Sequence, residues 1–417
     1  MKIEEIREKF KKYHNLDGYR EEHHVKMDNE AFPHTFNASG LENQIKEIID
    51  KTDNLSEIED KFYCIQPCFR RFDIENIFKN GYSIFFQMCG KCHITQNLVE
   101  ELPEYLKKHI WFFVNEIGLD QSKLWFTIFW WGQIAKIWDT IMPKDERSEN
   151  VLLKLGIPSD KIVPIENPIE KWEIDNFLVR FERDWEKYAG YWLDIYYDLW
   201  EKFQIWENDT KPGNVKWGRF LEISTTRILD YRRNSGYWES VNLWKSPMPT
   251  IVSGLSLERL AFITQWVSSV FEIDCYSELW KILNDYWYSE ETNKKLIALL
   301  IPLFYILSEW NLPWWSNTWK NRDLRALCID IFNCLDTFQR IYQLLENKKI
   351  ACNRKEFFRN IWPKESSLYI TTYCEIYNMY SGIYDTLTSK HKQILTILWN
   401  EQVNYVESKY KKFLHHK

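Results

Sequence analysis

The spacing of hydrophobic and polar residues changes along the chain, and the change predicts two regions. Apolar residues at helical spacing predict helices at about 2–14, 42–51, 102–114 and 145–155. Short apolar runs predict strands and turns within 60–100 and at 124–131, 155–165 and 219–231. From about 284 onward the pattern is helical, with breaks predicted at Pro302, Pro313 and Pro363. Strands confined to the first two thirds favour an α+β region, 1–283, followed by a helical region, 284–417.

The segment 175–208 carries a stripe of large apolar side chains. It contains no proline and a single glycine, and eight apolar residues recur at intervals of three or four: Phe181, Trp185, Tyr188, Trp192, Tyr196, Leu199, Phe203 and Trp206. This recurrence predicts a helix. Further on, 248–271 predicts a strand, a turn at Ser253-Gly254 and then a helix.

Composition narrows the classes of function. The net charge of −6 excludes a protein whose whole surface binds nucleic acid. The chain has only 13 glycines and 13 prolines. These low counts argue against glycine-rich dinucleotide-binding turns and against disordered linkers. The 22 Trp, 23 Tyr and 25 Phe are enough both to fill a core and to line a cavity with rings.

The sequence favours a cytoplasmic location. The N-terminal residues MKIEEIREKFKKY are charged and amphipathic and lack the apolar stretch of a secretory signal. The longest apolar run, 296–307, is shorter than the ~20 residues that a membrane span needs. Nine cysteines without a secretory signal are expected to be reduced thiols.

Four cysteines and a histidine are candidate metal ligands. Cys64-x3-Cys68 and Cys89-x2-Cys92-His93 would together supply the ligands of a zinc site. The first pair lies on an apolar, strand-like run interrupted by a proline, which is a poor frame for a compact ligand pair. Buried free thiols are therefore favoured over zinc. The HExxH, GxSxG and GxxxxGK[ST] motifs do not occur, which argues against a histidine-ligated metal enzyme, a serine hydrolase and a P-loop protein.

Two arginines are candidate anion ligands. Arg70 follows an apolar strand and precedes Asp73 and Glu75, so it suits either a structural ion pair or a phosphate. Arg259 lies early in a predicted helix, where it can reach an anion in front of the first turn. Alternatively it is an ordinary exposed arginine, although its neighbours three and four positions away offer no carboxylate.

Both arginines lie in segments that resemble signature motifs of alanyl-tRNA synthetases, a family of class II enzymes. Residues 68–90, CFRRFDIENIFKNGYSIFFQMCG, resemble the second motif, and residues 249–263, PTIVSGLSLERLAFI, resemble the third. LWFTIF, LGIPSDKIVPI, DNF and RFLEI follow between them in the family's order, and FNASGLENQIK resembles the first motif loosely. The resemblance implies a class II antiparallel sheet flanked by helices over about residues 1–285. DLRALCIDIF and ILWNEQVNYVESKY further on resemble helices of the family's tRNA-recognition domain.

The resemblance also implies residue roles. Class II enzymes activate a carboxylate by attack on the α-phosphate of ATP, with Mg²⁺, to give an acyl-adenylate and pyrophosphate. Arg70 matches the arginine that binds the α-phosphate, and Phe86 matches the ring that stacks on adenine. Arg259 matches the arginine near adenine and the γ-phosphate. Glu222 matches a carboxylate that would place Mg²⁺ between phosphate oxygens.

The departures from the family fall on the amino-acid side of the site. Where the family has an aspartate for the amino group of alanine, this sequence has Val252, and an apolar side chain cannot pair with a buried ammonium. The tryptophan that walls the alanine pocket is replaced by Leu178. The loop after Arg70 is shorter, and the aromatic segment 181–206 replaces a glycine-rich loop, which makes Trp192 a third candidate pocket residue. Over this segment the resemblance implies a loop and a strand, whereas the periodicity predicts a helix.

These features predict an ATP-dependent ligase that adenylates a carboxylate other than alanine and passes it to a small-molecule acceptor or tRNA. Small-molecule biosynthesis is the expected setting, without a membrane partner. Two alternatives stay open. A pseudo-synthetase would keep the fold as a binding or regulatory module without the chemistry, and a tRNA-binding protein would rely on a local basic patch.

Overall fold

The computed structural model describes residues 1–27, 36–41, 60–133, 141–142, 144–166, 188–203, 207–213, 218–233, 243–285, 289–309 and 319–335, with single helical positions between 368 and 401. The strands are β1 (Arg20–Glu21), β2 (Asp60–Phe69), β3 (Phe85–Ile94), β4 (Leu124–Gln133), β5 (Ile141–Met142), β6 (Ile162–Glu166), β7 (Tyr188–Asp198), β8 (Phe220–Arg233) and β9 (Leu243–Ser256). The helices are α1 (Ile3–Leu16), α2 (Leu98–Trp111), α3 (Glu146–Lys154), α4 (Leu257–Gln265), α5 (Ser277–Asp285), α6 (Glu290–Glu309) and α7 (Trp319–Cys334).

The described strands form one sheet in the order β1-β2-β3-β9-β8-β7-β4-β5, with β6 beside β4. From β2 to β4 every neighbouring pair in this order is antiparallel. Near the two edges, β1 is parallel to β2 and β6 is parallel to β4. The fold is therefore α+β, with the antiparallel centre that the resemblance implies and parallel pairs added at its sides.

Side-chain alternation gives the sheet a core face and an opposite face. Aliphatic and aromatic side chains at alternate positions of β2, β7 and β9 belong to one buried core, which also contains side chains of α1, α2 and α4. The Phe10 ring of α1 meets the Tyr63 ring of β2 edge-on, with centroids 5.5 Å apart. The Tyr105 hydroxyl of α2 lies 2.6 Å from the Ser253 hydroxyl of β9. The helices thus cover one face and leave the other for the site.

The predicted helix over 175–208 is wrong where the structure describes it, because Tyr188–Asp198 forms β7. Tyr188, Trp192 and Tyr196 recur every four residues, and a spacing of four is also a multiple of the strand period of two. The deciding pattern is the burial of the odd-numbered positions between them, such as Leu193 and Ile195. Residues 175–187 and 204–206 of this segment lie outside the described residues, as does the helix predicted at 42–51.

The predicted turn at Ser253-Gly254 is also wrong, because both residues lie inside β9. Gly254 pairs with Gly90 of β3 and with Thr225 of β8. A Cβ on Gly90 would come 2.6 Å from Cγ of Leu41, which crosses this face of the sheet. Glycine at position 90 therefore lets Leu41 approach the sheet closely. Glycines within strands can serve such close approaches as well as turns.

The described residues after 284 are helical, as the sequence predicts, but Pro302 does not end a helix, and Pro313 and Pro363 lie outside the described residues. Pro302 lies inside α6. A proline removes one backbone hydrogen bond, and here the residues on both sides of it are fully buried, so packing retains the helix. No helix among the described residues has both the length and the apolar character needed to cross a membrane.

Contacts join the helical region to the sheet. The Tyr305 ring of α6 lies 5.7 Å from the Phe85 ring of β3, measured between centroids. Arg71, in the turn after β2, forms an ion pair with Asp330 of α7 at 2.8 Å. The hydrophobic core accordingly runs without interruption from the sheet into α6 and α7.

Candidate active site

The face of the sheet opposite the core carries charged and aromatic side chains. Cross-strand register places Trp192 beside Arg227 and Arg227 beside Val252, while Asp194 lies beside Thr225 and Tyr196 beside Glu222. Directly opposed residues of antiparallel strands project from the same face. We call this surface the site face, and it comprises Phe86, Trp192, Asp194, Tyr196, Glu222, Thr225, Arg227 and Val252.

Arg70 lies where β2 ends and a short, kinked 3-10 segment, Arg71–Asn76, begins. Its Nε donates to the carbonyl oxygen of Ala38 at 3.0 Å. Its guanidinium carbon lies 5.0 Å from the centre of the Phe86 ring, a cation–π distance. The structure therefore brings Arg70 and Phe86 together, and among the described residues the terminal nitrogens of Arg70 have no protein acceptor.

Arg259 reaches from α4 to β8. The hydroxyl of Ser256 caps α4 by accepting the backbone N–H of Arg259 at 3.4 Å. The side-chain Nη1 donates to the backbone oxygen of Glu222 at 2.7 Å and to Oε1 of its carboxylate at 3.0 Å. Arg259 and Glu222, which the sequence assigns to the same nucleotide site, are thus in direct contact. The Glu222 side chain is about one third exposed.

Tyr82 shows that the two arginines share one electrostatic environment. Its hydroxyl donates to Asp73. Burial and this hydrogen bond raise the pKa of Tyr82, and both Arg70 and Arg259 oppose that rise. Arg70 and Arg259 therefore act on the same hydroxyl from different elements, whereas the neighbouring Arg71 is an ion-pair residue.

Asp194 is the most constrained carboxylate of the site face. Its Oδ1 accepts the indole N–H of Trp192 at 2.5 Å and the hydroxyl of Thr225 at 2.8 Å. Its Oδ2 accepts the hydroxyl of Thr127 at 3.5 Å. Burial and then the nearby Glu222 carboxylate raise the pKa of Asp194 to about 7, although the hydrogen bonds oppose the rise. A carboxyl that titrates near neutrality on such a surface is a candidate functional group.

Sequence reasoning missed Asp194, Tyr196 and Arg227. Burial, followed by the charges of Asp194 and Glu222, raises the pKa of Tyr196, which places this phenol among the acidic groups. The available signal was the alternation of Trp192, Asp194 and Tyr196, which is typical of one face of a strand. The helical interpretation of the segment concealed that signal.

The predicted pocket residues have different outcomes. Val252 packs at the edge of a small buried apolar cluster: Leu41, Phe62, Cys64, Cys92, Ile94, Leu229 and Met248. Trp192 is half-buried, and the guanidinium carbon of Arg227 lies 4.4 Å from the centre of its ring. Trp192 and Val252 therefore flank Arg227 on consecutive strands. Leu178 lies outside the described residues.

The side chains of this site fit a nucleoside triphosphate with Mg²⁺. Two arginines suit phosphate oxygens, and Glu222 and Asp194 are near enough for one carboxylate to shift the pKa of the other. Mg²⁺ commonly uses one or two carboxylates together with substrate phosphates. Within the described ranges no group of three or more His, Cys, Asp or Glu side chains could hold a metal by itself.

Strand geometry argues against the zinc alternative. Cys89 and Cys92 are three residues apart on β3, so their side chains project from opposite faces of the sheet. Cys89 packs in the main core, whereas Cys92 packs in the apolar cluster beside Val252. Burial raises the pKa of the Cys89 thiol well above its ordinary value. Both thiols therefore have the surroundings of structural cysteines.

The chain is similar in sequence to alanine–tRNA ligases. Alanine–tRNA ligase of Aromatoleum aromaticum is 24% identical over 288 residues, which cover 67% of this chain and 30% of the relative. The enzyme of the same name from Neisseria meningitidis serogroup C is 27% identical over 291 residues, with the same coverage. The chain thus matches about 30% of the length of these curated relatives.

Among solved structures, the chain was matched to apo histidyl-tRNA synthetase from S. aureus, with a TM-score of 0.36 and 17% identity over 65% of this chain and 68% of that chain. Pyrrolysyl-tRNA synthetase from Desulfitobacterium hafniense gives a TM-score of 0.34 and 12% identity over 65% and 72% of the two chains. The family profile described as tRNA synthetases class II (A) matches residues 5–298 of this chain. The chain therefore belongs to the class II (A) tRNA synthetases, as a divergent member similar to alanyl-tRNA synthetases.

Proposed function

We propose that this protein is an ATP-dependent ligase that adenylates a carboxylic acid other than alanine. The observation that carries the proposal is the meeting of the four nucleotide-site candidates in two contacts. Arg70 stacks on Phe86, and Arg259 pairs with Glu222. Tyr82 links the two pairs electrostatically, because both arginines act on its hydroxyl.

In the proposed reaction, a carboxylate oxygen of the acid attacks the α-phosphorus of ATP. An oxygen–phosphorus bond forms, the bond to the bridging oxygen of the β-phosphate breaks, and pyrophosphate leaves with that electron pair. Arg70 would bind the α-phosphate and stabilise the growing charge through its terminal nitrogens. Phe86 would stack on adenine, and Arg259 would bind beside it. When bound near Glu222, Mg²⁺ would neutralise charge between phosphate oxygens.

Val252 supports an acid other than alanine. It packs against apolar neighbours and offers no partner for an ammonium group. An unpaired ammonium in such surroundings would be strongly disfavoured. The acyl group would then pass to a small-molecule amine or thiol. A tRNA acceptor is the alternative, and it predicts salt-dependent binding of bulk tRNA in a gel shift.

Pyrophosphate exchange into ATP tests the adenylation step. With an accepted acid, Arg70→Ala should slow exchange by about 100-fold, since removing one charge-stabilising donor typically costs that much. Arg71→Ala is the matched control, because the adjacent arginine pairs with Asp330 rather than facing the site. Equal rates for wild type and Arg70→Ala would refute the assigned role of Arg70.

A pseudo-synthetase is the second candidate function, and one contact favours it. Arg259 and Glu222 satisfy each other in the structure, as they would in a purely structural ion pair. Calorimetric titration with Mg-ATP separates the two candidates. Binding that Arg259→Ala abolishes supports the ligase, whereas an absence of ATP binding supports the pseudo-synthetase.

A further inference from the structure

A second polar cluster lies at the other end of β8 from the nucleotide-site candidates. It comprises Asp145 and Arg147 at the start of α3, Asp230 of β8 and Lys245 of β9, and we call it the far cluster. The step from Glu222 to Asp230 along β8 is roughly 25 Å, at about 3.3 Å per residue. The far cluster is therefore separate from the candidate active site.

Asp230 joins the charged groups of the far cluster. Its Oδ2 accepts from Nη1 of Arg147 and from Nζ of Lys245, each at 3.0 Å, and its side chain is 3% exposed. Its other carboxylate oxygen, Oδ1, is buried and has no hydrogen-bond partner in the described part of the chain. Because an unpaired buried acceptor is unfavourable, Oδ1 is suited to a donor that a ligand supplies.

Arg147 presents the guanidinium edge that binds carboxylates. Its Nη1 pairs with Asp230, whereas its Nε and Nη2 are buried without an acceptor among the described residues. Arg219 uses the same edge elsewhere in this chain, since its Nε and Nη2 bind the two oxygens of Asp198 at 2.7 and 2.6 Å. Two parallel N–H groups match the geometry of a carboxylate. The Tyr191 ring, 5.8 Å from the Arg147 guanidinium carbon, helps to orient this edge.

Asp145 contributes a second unpaired acceptor. It begins α3, where its Oδ1 accepts the backbone N–H of Ser148 at 3.1 Å, and its own backbone N–H donates to the Phe129 carbonyl at 2.9 Å. Its Oδ2 is buried and, within the described ranges, has no partner. Burial raises the pKa of Asp145, Arg147 opposes the rise and Asp230 adds to it. The two carboxylates and the guanidinium are therefore close enough to act on one another.

The unpaired atoms define the chemistry of a ligand. The guanidinium edge pairs with two acceptor oxygens, whereas the unpaired carboxylate oxygens pair with donors. The two carboxylates of the far cluster balance the guanidinium and the ammonium, so a ligand without net charge keeps that balance. A small molecule with one carboxylate and one ammonium meets both requirements. The far cluster also borders solvent, because the side chains of Arg147 and Lys245 are 27% and 65% exposed.

We propose that the far cluster binds a small zwitterion, with its carboxylate on the Nε–Nη2 edge of Arg147 and its ammonium beside Asp145 and Asp230. This site goes beyond the proposed adenylation and does not depend on it. Binding there needs neither ATP nor Mg²⁺, so the two proposals are tested separately.

Calorimetric titration of the full chain without ATP tests the site with glycine, β-alanine and γ-aminobutyrate, whose two charged groups lie progressively farther apart. At least one of these zwitterions should bind. Acetate and methylammonium, which each carry one of the two charges, should bind at least about 10-fold more weakly. Arg147→Lys keeps a cation beside Asp230 and loses the planar edge, so it should raise the Kd of the zwitterion by about 10- to 100-fold.

Arg219→Lys is the matched control, because Asp198 occupies the same edge of that arginine, and it should leave the Kd unchanged. Asp230→Asn is a second variant that removes the charge beside the ammonium, and it should also weaken binding. Urea midpoints show whether each variant is folded. Absence of binding by all three zwitterions at tens of millimolar, or a Kd that neither Arg147→Lys nor Asp230→Asn changes, overturns the proposal. Either result leaves the proposed adenylation unaffected.

Discussion

At the scale of single residues, Asp194 has the most unusual surroundings on the site face. A carboxylate loses hydration when it is buried, and the neighbouring Glu222 carboxylate adds repulsion. Hydrogen bonds from Trp192 and Thr225 stabilise the carboxylate and offset part of this cost. The balance raises the pKa to about 7, so ionised Asp194 destabilises the folded protein relative to neutral Asp194.

Asp194→Asn should change how stability depends on pH. An unfolded aspartate ionises near its ordinary pKa of 3.8, and the folded one only near 7, so ionisation favours unfolding between these values. Asparagine keeps the shape and can accept from Trp192 without titrating. The free energy of unfolding, measured with urea, should therefore fall in the wild type relative to the variant as pH rises from 4 to 7, by at most ~1.4 kcal/mol per pH unit. Above pH 7 the difference between the two proteins should stay constant. A constant difference between pH 4 and 7 would contradict the raised pKa.

The sequence identified site residues that lie in contiguous sequence motifs. It missed site residues that come together only through the pairing of strands. Arg70, Phe86 and Arg259 stand in recognisable local motifs, and the structure places Arg70 on Phe86. Arg227 is level with Trp192 only because β7 and β8 pair in one register, which includes two irregularities. A register of this kind depends on long-range contacts that spacing along the chain does not reveal.

At the scale of elements, Gly190 sets the path of β7. It lies between Ala189 and Tyr191, where the register with β8 shifts. A Cβ on Gly190 would overlap the carbonyl oxygen of Ile228, which is backbone and has little freedom to move. The bulge at this point directs the strand that carries Trp192 and Asp194.

Gly190→Ala should therefore destabilise the protein by about 3 kcal/mol or more, the upper range for overpacking. Gly254→Ala is the matched glycine in a neighbouring strand, and its Cβ would lie 3.3 Å from the flexible Met88 thioether. Its cost should stay below about 1.5 kcal/mol. Chemical denaturation measures both variants, and equal losses would contradict the close approach of β7 and β8.

The sequence predicted whether an element is a helix or a strand where its length or composition distinguished the helical period from the strand period. The helix predicted at 145–155 corresponds to α3, Glu146–Lys154, which Asp145 caps by accepting the backbone N–H of Ser148. β4 was recognisable as a continuous apolar run. β7 was not, because its aromatic residues satisfy both periods and only pairing with β4 and β8 decides between them.

At the scale of the whole molecule, the sheet and α6 share one core. Tyr305 is fully buried against Phe85, and the Tyr276 hydroxyl before α5 donates to the Phe85 carbonyl at 3.4 Å. The site residue Phe86 follows directly in β3. The division of the chain at 283 stays a prediction. With or without that division, α6 supports β3, the strand that carries Phe86 and its proposed contact with adenine.

Tyr305→Ala should cost about 3–5 kcal/mol, as expected for loss of a large buried aromatic ring. Because α6 packs on β3, tryptophan fluorescence and far-UV circular dichroism should report one common urea transition at a lower midpoint. Val99→Ala, at a side chain that is 75% exposed, controls for a surface change and should shift the midpoint little. Separate transitions for the two signals would contradict a shared core.

Acid-dependent exchange of labelled pyrophosphate into ATP by the wild-type chain with Mg²⁺ tests the proposed adenylation most directly. We expect exchange with an acid other than alanine, and loss of that exchange in Arg70→Ala but not in Arg71→Ala. Exchange that alanine alone supports, or no exchange with any acid together with no binding of ATP, would contradict the proposed function.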